Sequence, residues 1–156
     1  MSVASVEERL EALGIVLPPA SNPAGNYTNF VEANGLLFLS GKGPSGGSGQ
    51  KPTGKLGQDY TTAEGYQFAR QTGIEILAAL KAAVGSLDRI KRVVKIQGFV
   101  NADPQFAEHP KVLDGCSDLM VEVFGDRGKH ARSVLGATSL RDNLPIVIDA
   151  IFEIDA

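Results

Sequence analysis

Two kinds of apolar spacing alternate along this chain, and their order limits the fold more than any single residue does. From Thr61 to Val84 the residues Ala69, Gly73, Ile76, Leu77, Leu80 and Val84 recur at three- and four-residue steps, which predicts a helix with one apolar face, closed by Gly85. The next segment, "RIKRVVKIQGFVN", alternates instead. Val94, Ile96, Gly98 and Val100 fall on one side and Lys95, Gln97 and Phe99 on the other, the pattern of a strand with one covered face. Helical spacing returns from Phe106 to Phe124, with Leu113, Cys116, Met120, Val123 and Phe124 on its apolar face and Gly125 and Gly128 as its stop. Two strand-like runs, Ala131 to Leu140 and Pro145 to Ile154, follow, joined by the residues "RDNL".

The N-terminal third completes the order. Ser5, with Glu7 and Glu8 behind it and Val6, Leu10 and Leu13 on one face, predicts a short first helix that stops at Gly14. In "YTNFVEANGLLFLSG" two apolar runs are separated by Asn34 and Gly35, residues that tolerate positive φ, so a hairpin is expected. The Gly-, Pro- and Ser-rich stretch from Gly43 to Gln58 reads as a surface insertion or a ligand loop, and it lacks the ending of a phosphate-binding Walker loop. Behind the leading helix the order is β-β-α-β-α-β-β. Strands clustered at both ends with two long helices between them predict an α+β domain spanning residues 1–156, its helices stacked on one face of a mostly antiparallel sheet.

If the last two runs form a tight hairpin, pairing Leu140 with Pro145 sets Arg132 opposite Glu153 and Gly136 opposite Asp149. Leu135, Ala137, Ile146, Ile148, Ala150 and Phe152 then lie under the helices. The other face holds Arg132, Val134, Gly136, Thr138, Val147, Asp149, Ile151 and Glu153, a mixture too apolar for water and too charged for a core. Such an uncovered face predicts a homo-oligomer in which sheets meet, with Arg132 near a subunit boundary.

Composition narrows the partners. The 156 residues carry a formal charge of −3 without a basic block, which gives no electrostatic footprint for nucleic acid and no polybasic membrane anchor. No apolar run approaches the roughly 20 residues that a membrane span requires. A single cysteine and an acidic N-terminal segment in place of a signal peptide point to a reduced, cytoplasmic compartment.

Arg132 is the residue that asks for a function. Its guanidinium stays charged and fits a carboxylate bidentately, so it binds either an anionic ligand or a protein acid such as Glu153. Cys116 sits on an apolar helix face without an evident activating base and reads chiefly as a small buried hydrophobe. His109 and His130 could be bases or metal ligands, but they are only two and lack acid or thiol partners at ligand spacing, so no metal is expected. Asp149 and Glu153 read as interface acids that could also touch a ligand.

Taken together in their order, "SNPAGNYTNFVEANGLLFLSGKGP", "LAALKAAVGSLDRIKRVVKIQGFVNADPQFAEHP" and "ARSVLGATSL…VIDAIFEI" resemble the RidA family, also called the YjgF family, over residues 15 to 155. The segment "GCSDLMVEVFGDRGKHARS" is similar to its longer-chain branch, labelled endoribonuclease or chorismate-mutase-like. The resemblance implies a chorismate-mutase-like fold, a homotrimer with clefts between subunits, and no metal or organic cofactor. It also implies hydrolytic deamination of small enamine or imine acids such as 2-iminopropanoate. On this comparison the carboxylate-binding arginine of the family falls on Arg132, its serine-glycine pair on Ser40 and Gly41, and its tyrosine on Tyr27.

Two positions depart from the pattern. The acid that positions the attacking water in deaminating members falls on Val147, and the asparagine near the start of their third helix falls on Pro110. Valine can neither orient water nor move a proton. Three readings therefore stand: an imine hydrolase relying on orientation and an electrostatic pocket, a noncatalytic binder of small carboxylates using the same anion site, and, least favoured by the acidic charge, an endoribonuclease.

Overall fold

The computed structural model describes residues 4–45 and 50–155. Its elements are α1 (Val6–Ala12), β1 (Phe30–Ala33), β2 (Leu36–Lys42), α2 (Thr62–Val84), β3 (Ile90–Asn101), α3 (His109–Phe124), β4 (Ala131–Ala137) and β5 (Ile146–Ile154). Both early helices begin at capping boxes written into the sequence. Ser5 and Glu8 exchange side-chain bonds with each other's backbone N–H groups, and Thr61 and Glu64 do the same at α2. Asn34 and Gly35, at φ 52° and 78°, make the tight turn between β1 and β2, whose register pairs Ala33 with Leu36.

The strands form one sheet in the order β1-β2-β5-β3-β4, antiparallel except for the parallel pair β3 and β4. This overturns the expected terminal hairpin. β5 lies between β2 and β3, and β4 pairs with the far side of β3, so Arg132 stands beside Ile96 rather than Glu153, and Gly136 beside Val100 rather than Asp149. The reason lies in the burial each strand can offer. In β5 every second residue from Ile146 to Ile154 is buried and those between are half-buried, which suits a central strand, whereas β4 is mostly exposed and suits an edge. The link from Thr138 to Pro145 is not a tight turn: it holds a short helical turn at Arg141–Asn143 and carries the chain across the end of β3. There the Asn101 N–H donates to the Pro145 carbonyl and the Ala102 N–H to the Ala137 carbonyl, so the end of β3 is held from both sides. α3 supplies the crossover that a parallel strand pair requires.

Ile146, Ile148, Ala150 and Phe152 lie under the helices as expected. Leu135 does not. Because Arg132 aligns with Ile96, which is fully buried, it is Arg132, Val134 and Gly136 that turn toward the helices, while Leu135 points outward at 49% exposure. A bulge between Val93 and Lys95 likewise puts Val93, not Val94, in the core. The open face keeps Val147, Asp149, Ile151 and Glu153 from β5, joined by Phe38, Gln97, Phe99 and Leu135 from the neighbouring strands.

α2 and α3 pack on the covered face, and glycines set how closely they approach. A Cβ on Gly115 would lie well inside contact distance of the Tyr66 carbonyl of α2, and one on Gly73 would meet Leu119 Cδ2 at 2.8 Å. Gly98 leaves room beneath α3 for Leu113, whose Cδ1 would be 2.8 Å from a Cβ there. Of the stretch expected as a surface insertion, residues 46–49 lie outside the described residues. Its later part is docked: Leu56 is fully buried and its N–H donates to the Asn101 carbonyl at 2.8 Å, while the Lys55 ammonium is held by Asn101 Oδ1 and the Thr138 carbonyl. Among the described residues no helix is long and apolar enough to cross a membrane.

Replacing Gly115 with alanine forces α3 away from a backbone carbonyl rather than from a movable side chain. We expect Gly115→Ala to cost ~2–3 kcal/mol, read as a lower urea midpoint with an unchanged slope. A midpoint equal to that of the parent would show that the helices separate freely.

Candidate functional site

Arg132 lies in a groove between the edge strand β4 and α3, lined by Asp114, Ser117, Val121, Lys129 and His130. Its partner is an acid the sequence reading did not select. Nη1 makes an ion pair with Asp114 Oδ1 at 2.8 Å and donates to Ser117 Oγ at 3.1 Å, and Nη2 reaches the Pro110 carbonyl at 3.4 Å. Asp114 and Ser117 are three residues apart on a helix and so share one face. The side chain of Arg132 is 27% exposed, and its Nε has no partner among the described residues. The guanidinium is thus fixed along one edge while the rest of its donor fork remains open to the groove.

Beside it, His130 is held at both ring nitrogens. Nδ1 lies 2.6 Å from the Gly128 carbonyl and Nε2 lies 2.9 Å from Ser117 Oγ. A carbonyl can only accept, so in the neutral ring the proton is on Nδ1 and Nε2 is the acceptor. Ser117 therefore donates its hydroxyl proton to His130 while receiving a hydrogen bond from Arg132. Burial pushes the His130 pKa below its ordinary value of 6.5, the Gly128 hydrogen bond opposes that shift, and the Arg132 charge adds to it.

The other residues singled out from the sequence occupy different places. Cys116 is fully buried under α3, and desolvation raises its thiol to about 12, which removes it as a nucleophile. Glu153 stands on the open face beside Arg92 and Leu36, with Lys91 Nζ 3.9 Å away. Asp149, also on that face beside Gln97, has its pKa raised by burial against a smaller opposing effect of Lys95. His109 stacks edge-on to Phe106 and covers Gly136, where a Cβ would meet its Nε2 at 2.6 Å. Among the described residues no group of three or more His, Cys, Asp or Glu side chains is placed to hold a metal.

Tyr27 and Gly41 lie across the sheet, at a cavity of about 130 Å³ that Lys42, Lys51, Glu75 and Arg141 also line. Lys42 is buried there, its ammonium donating to Asn29 Oδ1 at 2.7 Å and Ser21 Oγ at 3.0 Å, and burial lowers its pKa. Ser40 acts as a clamp. Its Oγ donates to the Thr28 carbonyl at 2.6 Å and its N–H to the Asn29 carbonyl, tying the N-terminal segment to β2. Within one protomer the structure therefore does not bring Tyr27, Ser40 and Gly41 to Arg132, because β5 and β3 lie between them. Val147 stands on the open face, its Cγ1 3.0 Å from where a Cβ on Gly41 would lie.

Asp114 and Ser117 escaped the sequence reading, and so did the pairing of His130 with Ser117. The available signal was spacing: His130 immediately precedes the strand and stands two residues before Arg132, which extended backbone puts on the same side. Which face remained hidden until β4 was known to pair with β3.

Comparison with known proteins adds an independent line. Residues 7–150 match the family described as "YjgF/chorismate mutase-like, putative endoribonuclease". The chain is similar to Protein TCP17 of Trypanosoma cruzi, with 40% identity over 151 residues that cover 96% of this chain and 94% of that one. A protein of unknown function from Agrobacterium tumefaciens superposes with a TM-score of 0.89 at 40% identity, covering 96% of this chain and 92% of its own. A structure described as a putative endoribonuclease from Shewanella oneidensis gives a TM-score of 0.93 at 36% identity, covering 97% and 100%.

Two outcomes follow from the buried groups. Native protein at pH 8 should leave Cys116 unalkylated by iodoacetamide and take up a single label after unfolding; native labelling would contradict the buried thiol. Because the unfolded chain takes up a proton at its histidine before the folded chain does at His130, the stability present above pH 6.5 should fall as pH drops toward the folded value. Denaturant midpoints across that range, with His130→Asn losing part of the slope, check the sign.

Proposed function

Because the chain belongs to the YjgF/chorismate-mutase-like family, we propose that it hydrolyses small enamine or imine acids to keto acids and ammonia, with Arg132 holding the substrate carboxylate. The observation that carries this reading is the arginine itself, braced by Asp114 and Ser117 yet open to a groove along its remaining donors. A charge-assisted bidentate contact of that kind is worth on the order of 1.5–3 kcal/mol, enough to orient a small acid. Imine hydrolysis needs no large barrier reduction. Orientation and a fixed positive charge supply much of what it requires.

The same reading places the reaction between copies of the chain. Arg132 stands at the β4 edge and the Tyr27–Gly41 cavity at the other end of the sheet, so a head-to-tail contact sets one beside the other, and repetition by rotation closes a ring. The open face supplies the apolar area for such a contact, with Phe38, Val31 and Leu135 at 41%, 55% and 49% exposure. A homotrimer is the assembly we propose.

Val147 favours a second reading, a noncatalytic protein that binds small carboxylates at the same arginine, since no carboxylate stands at that position to position a water. The endoribonuclease name attached to the family gains little from a chain of net charge −3.

The test is turnover. With 2-iminopropanoate generated by an amino-acid oxidase acting on alanine, in competition with a semicarbazide trap, the protein should raise the yield of pyruvate. Arg132→Ala should reduce kcat/KM by roughly 10- to 100-fold while light scattering still reports a trimer. Saturable protection from thermal unfolding by pyruvate without any turnover would move the assignment to the binding protein. Loss of assembly in Arg132→Ala would make the arginine an assembly residue instead.

A further inference from the structure

The reading above lacks a group to move the proton, and Val147 leaves that place empty. We propose that Ser117 and His130 form the proton-transfer pair of the reaction, with the serine hydroxyl passing a proton from the attacking water to Nε2 of His130. This rests on the hydrolase reading and supplies the base it needs.

Three features of the geometry support it. The Gly128 carbonyl at 2.6 Å fixes the tautomer in which Nε2 carries a free lone pair. Ser117 Oγ lies 2.9 Å from that nitrogen and 3.1 Å from Nη1 of Arg132, so the relay atom and the carboxylate holder share a hydrogen bond. Both side chains are part-buried and line the groove that contains the arginine. Serine, histidine and a backbone acceptor in sequence is an arrangement that commonly serves proton transfer, whether the attacking oxygen belongs to the serine or to water.

The steps balance without a further reactant. Water adds to the imine carbon as its proton moves to Ser117 Oγ and the serine proton moves to His130 Nε2, while the imine nitrogen takes up the C=N electron pair as its own protonated form becomes an amine. The imidazolium then returns its proton through Ser117 to that nitrogen. As the C–N bond breaks and the C=O bond forms, the hydroxyl proton passes through Ser117 Oγ to His130 Nε2 and ammonia leaves; the imidazolium then gives that proton to solvent, where ammonia becomes ammonium, and His130 is neutral again. The charged groups around the ring are Arg132 and Lys129 on its own segment and Asp114 on α3, while β3 places Lys95 beside Ala131 on the outer face and the uncharged Ile96 beside Arg132.

Two variants and a pH series test the pair on the full-length protein with 2-iminopropanoate. Asparagine at position 130 keeps a donor for the Gly128 carbonyl but has no basic nitrogen, so His130→Asn should lower kcat about 100-fold with little change in KM. It should also remove the loss of rate that the parent shows as His130 protonates on the acid side, read as the ratio of variant to parent so that titration of the imine cancels. Ser117→Ala should slow turnover but keep the acid limb, since water can reach Nε2 directly. A His130→Asn protein that is folded, trimeric and as fast as the parent at every pH would overturn the pair while leaving the hydrolase intact. If His130→Asn does not fold, Ser117→Ala at parental rate is the overturning result. A parent without imine turnover removes the hydrolase reading itself, and the pair with it.

Discussion

Helix α3 can lie where it does because Gly115 has no side chain. The Tyr66 carbonyl of α2 occupies the space a Cβ would need, so the two helices meet backbone to backbone there, and Leu119 and Cys116 close over Gly73 on the same contact. On its underside α3 presses Leu113 into the gap left by Gly98 of β3. Those two contacts fix both the height and the rotation of the helix. Asp114 and Ser117, which flank the buried Gly115 and Cys116, are thereby turned toward the edge strand. The polar groove is a consequence of the packing beneath it, and a helix held less closely would leave Arg132 without its brace.

The second constraint is the central place of β5. By separating β2 from β3 it puts the Tyr27–Gly41 cavity and the Arg132 groove at opposite ends of one sheet. Each end is chemically unfinished by itself. One has buried Lys42 with Lys51 and Arg141 around a small cavity, and the other has a guanidinium with donors to spare. The half-apolar open face, with Phe38 and Leu135 exposed, runs between them. Fold and groove are connected through the strand order.

Local signals in this sequence were strong and read true. The Asn34–Gly35 turn, the Ser5 cap, the apolar faces of α2 and α3 and the buried character of Cys116 all follow from short-range chemistry, in which a residue and its neighbours at fixed spacing decide the outcome. The end of the chain misled because alternation gives a strand and its two faces but not its neighbours. Leu135 and Ile148 both looked like core residues of a single hairpin. Once β4 pairs in parallel with β3, the register turns Leu135 outward and Arg132 inward.

By itself, then, the sequence determined the element types and their order, the apolar stripes that become the core, and the presence of one permanent cation at the head of the fourth strand. Each is a matter of residue chemistry at a spacing set by helix or strand geometry. The tertiary structure decided what that cation touches. Asp114 and Ser117 come from a helix and His130 from the segment that leads into the strand it crosses to, and they meet only because a crossover connection and a close helix contact bring them together. Long-range pairing depends on the total burial of the sheet, which no local pattern contains, and for that reason the arginine was visible in the sequence while its partners were not.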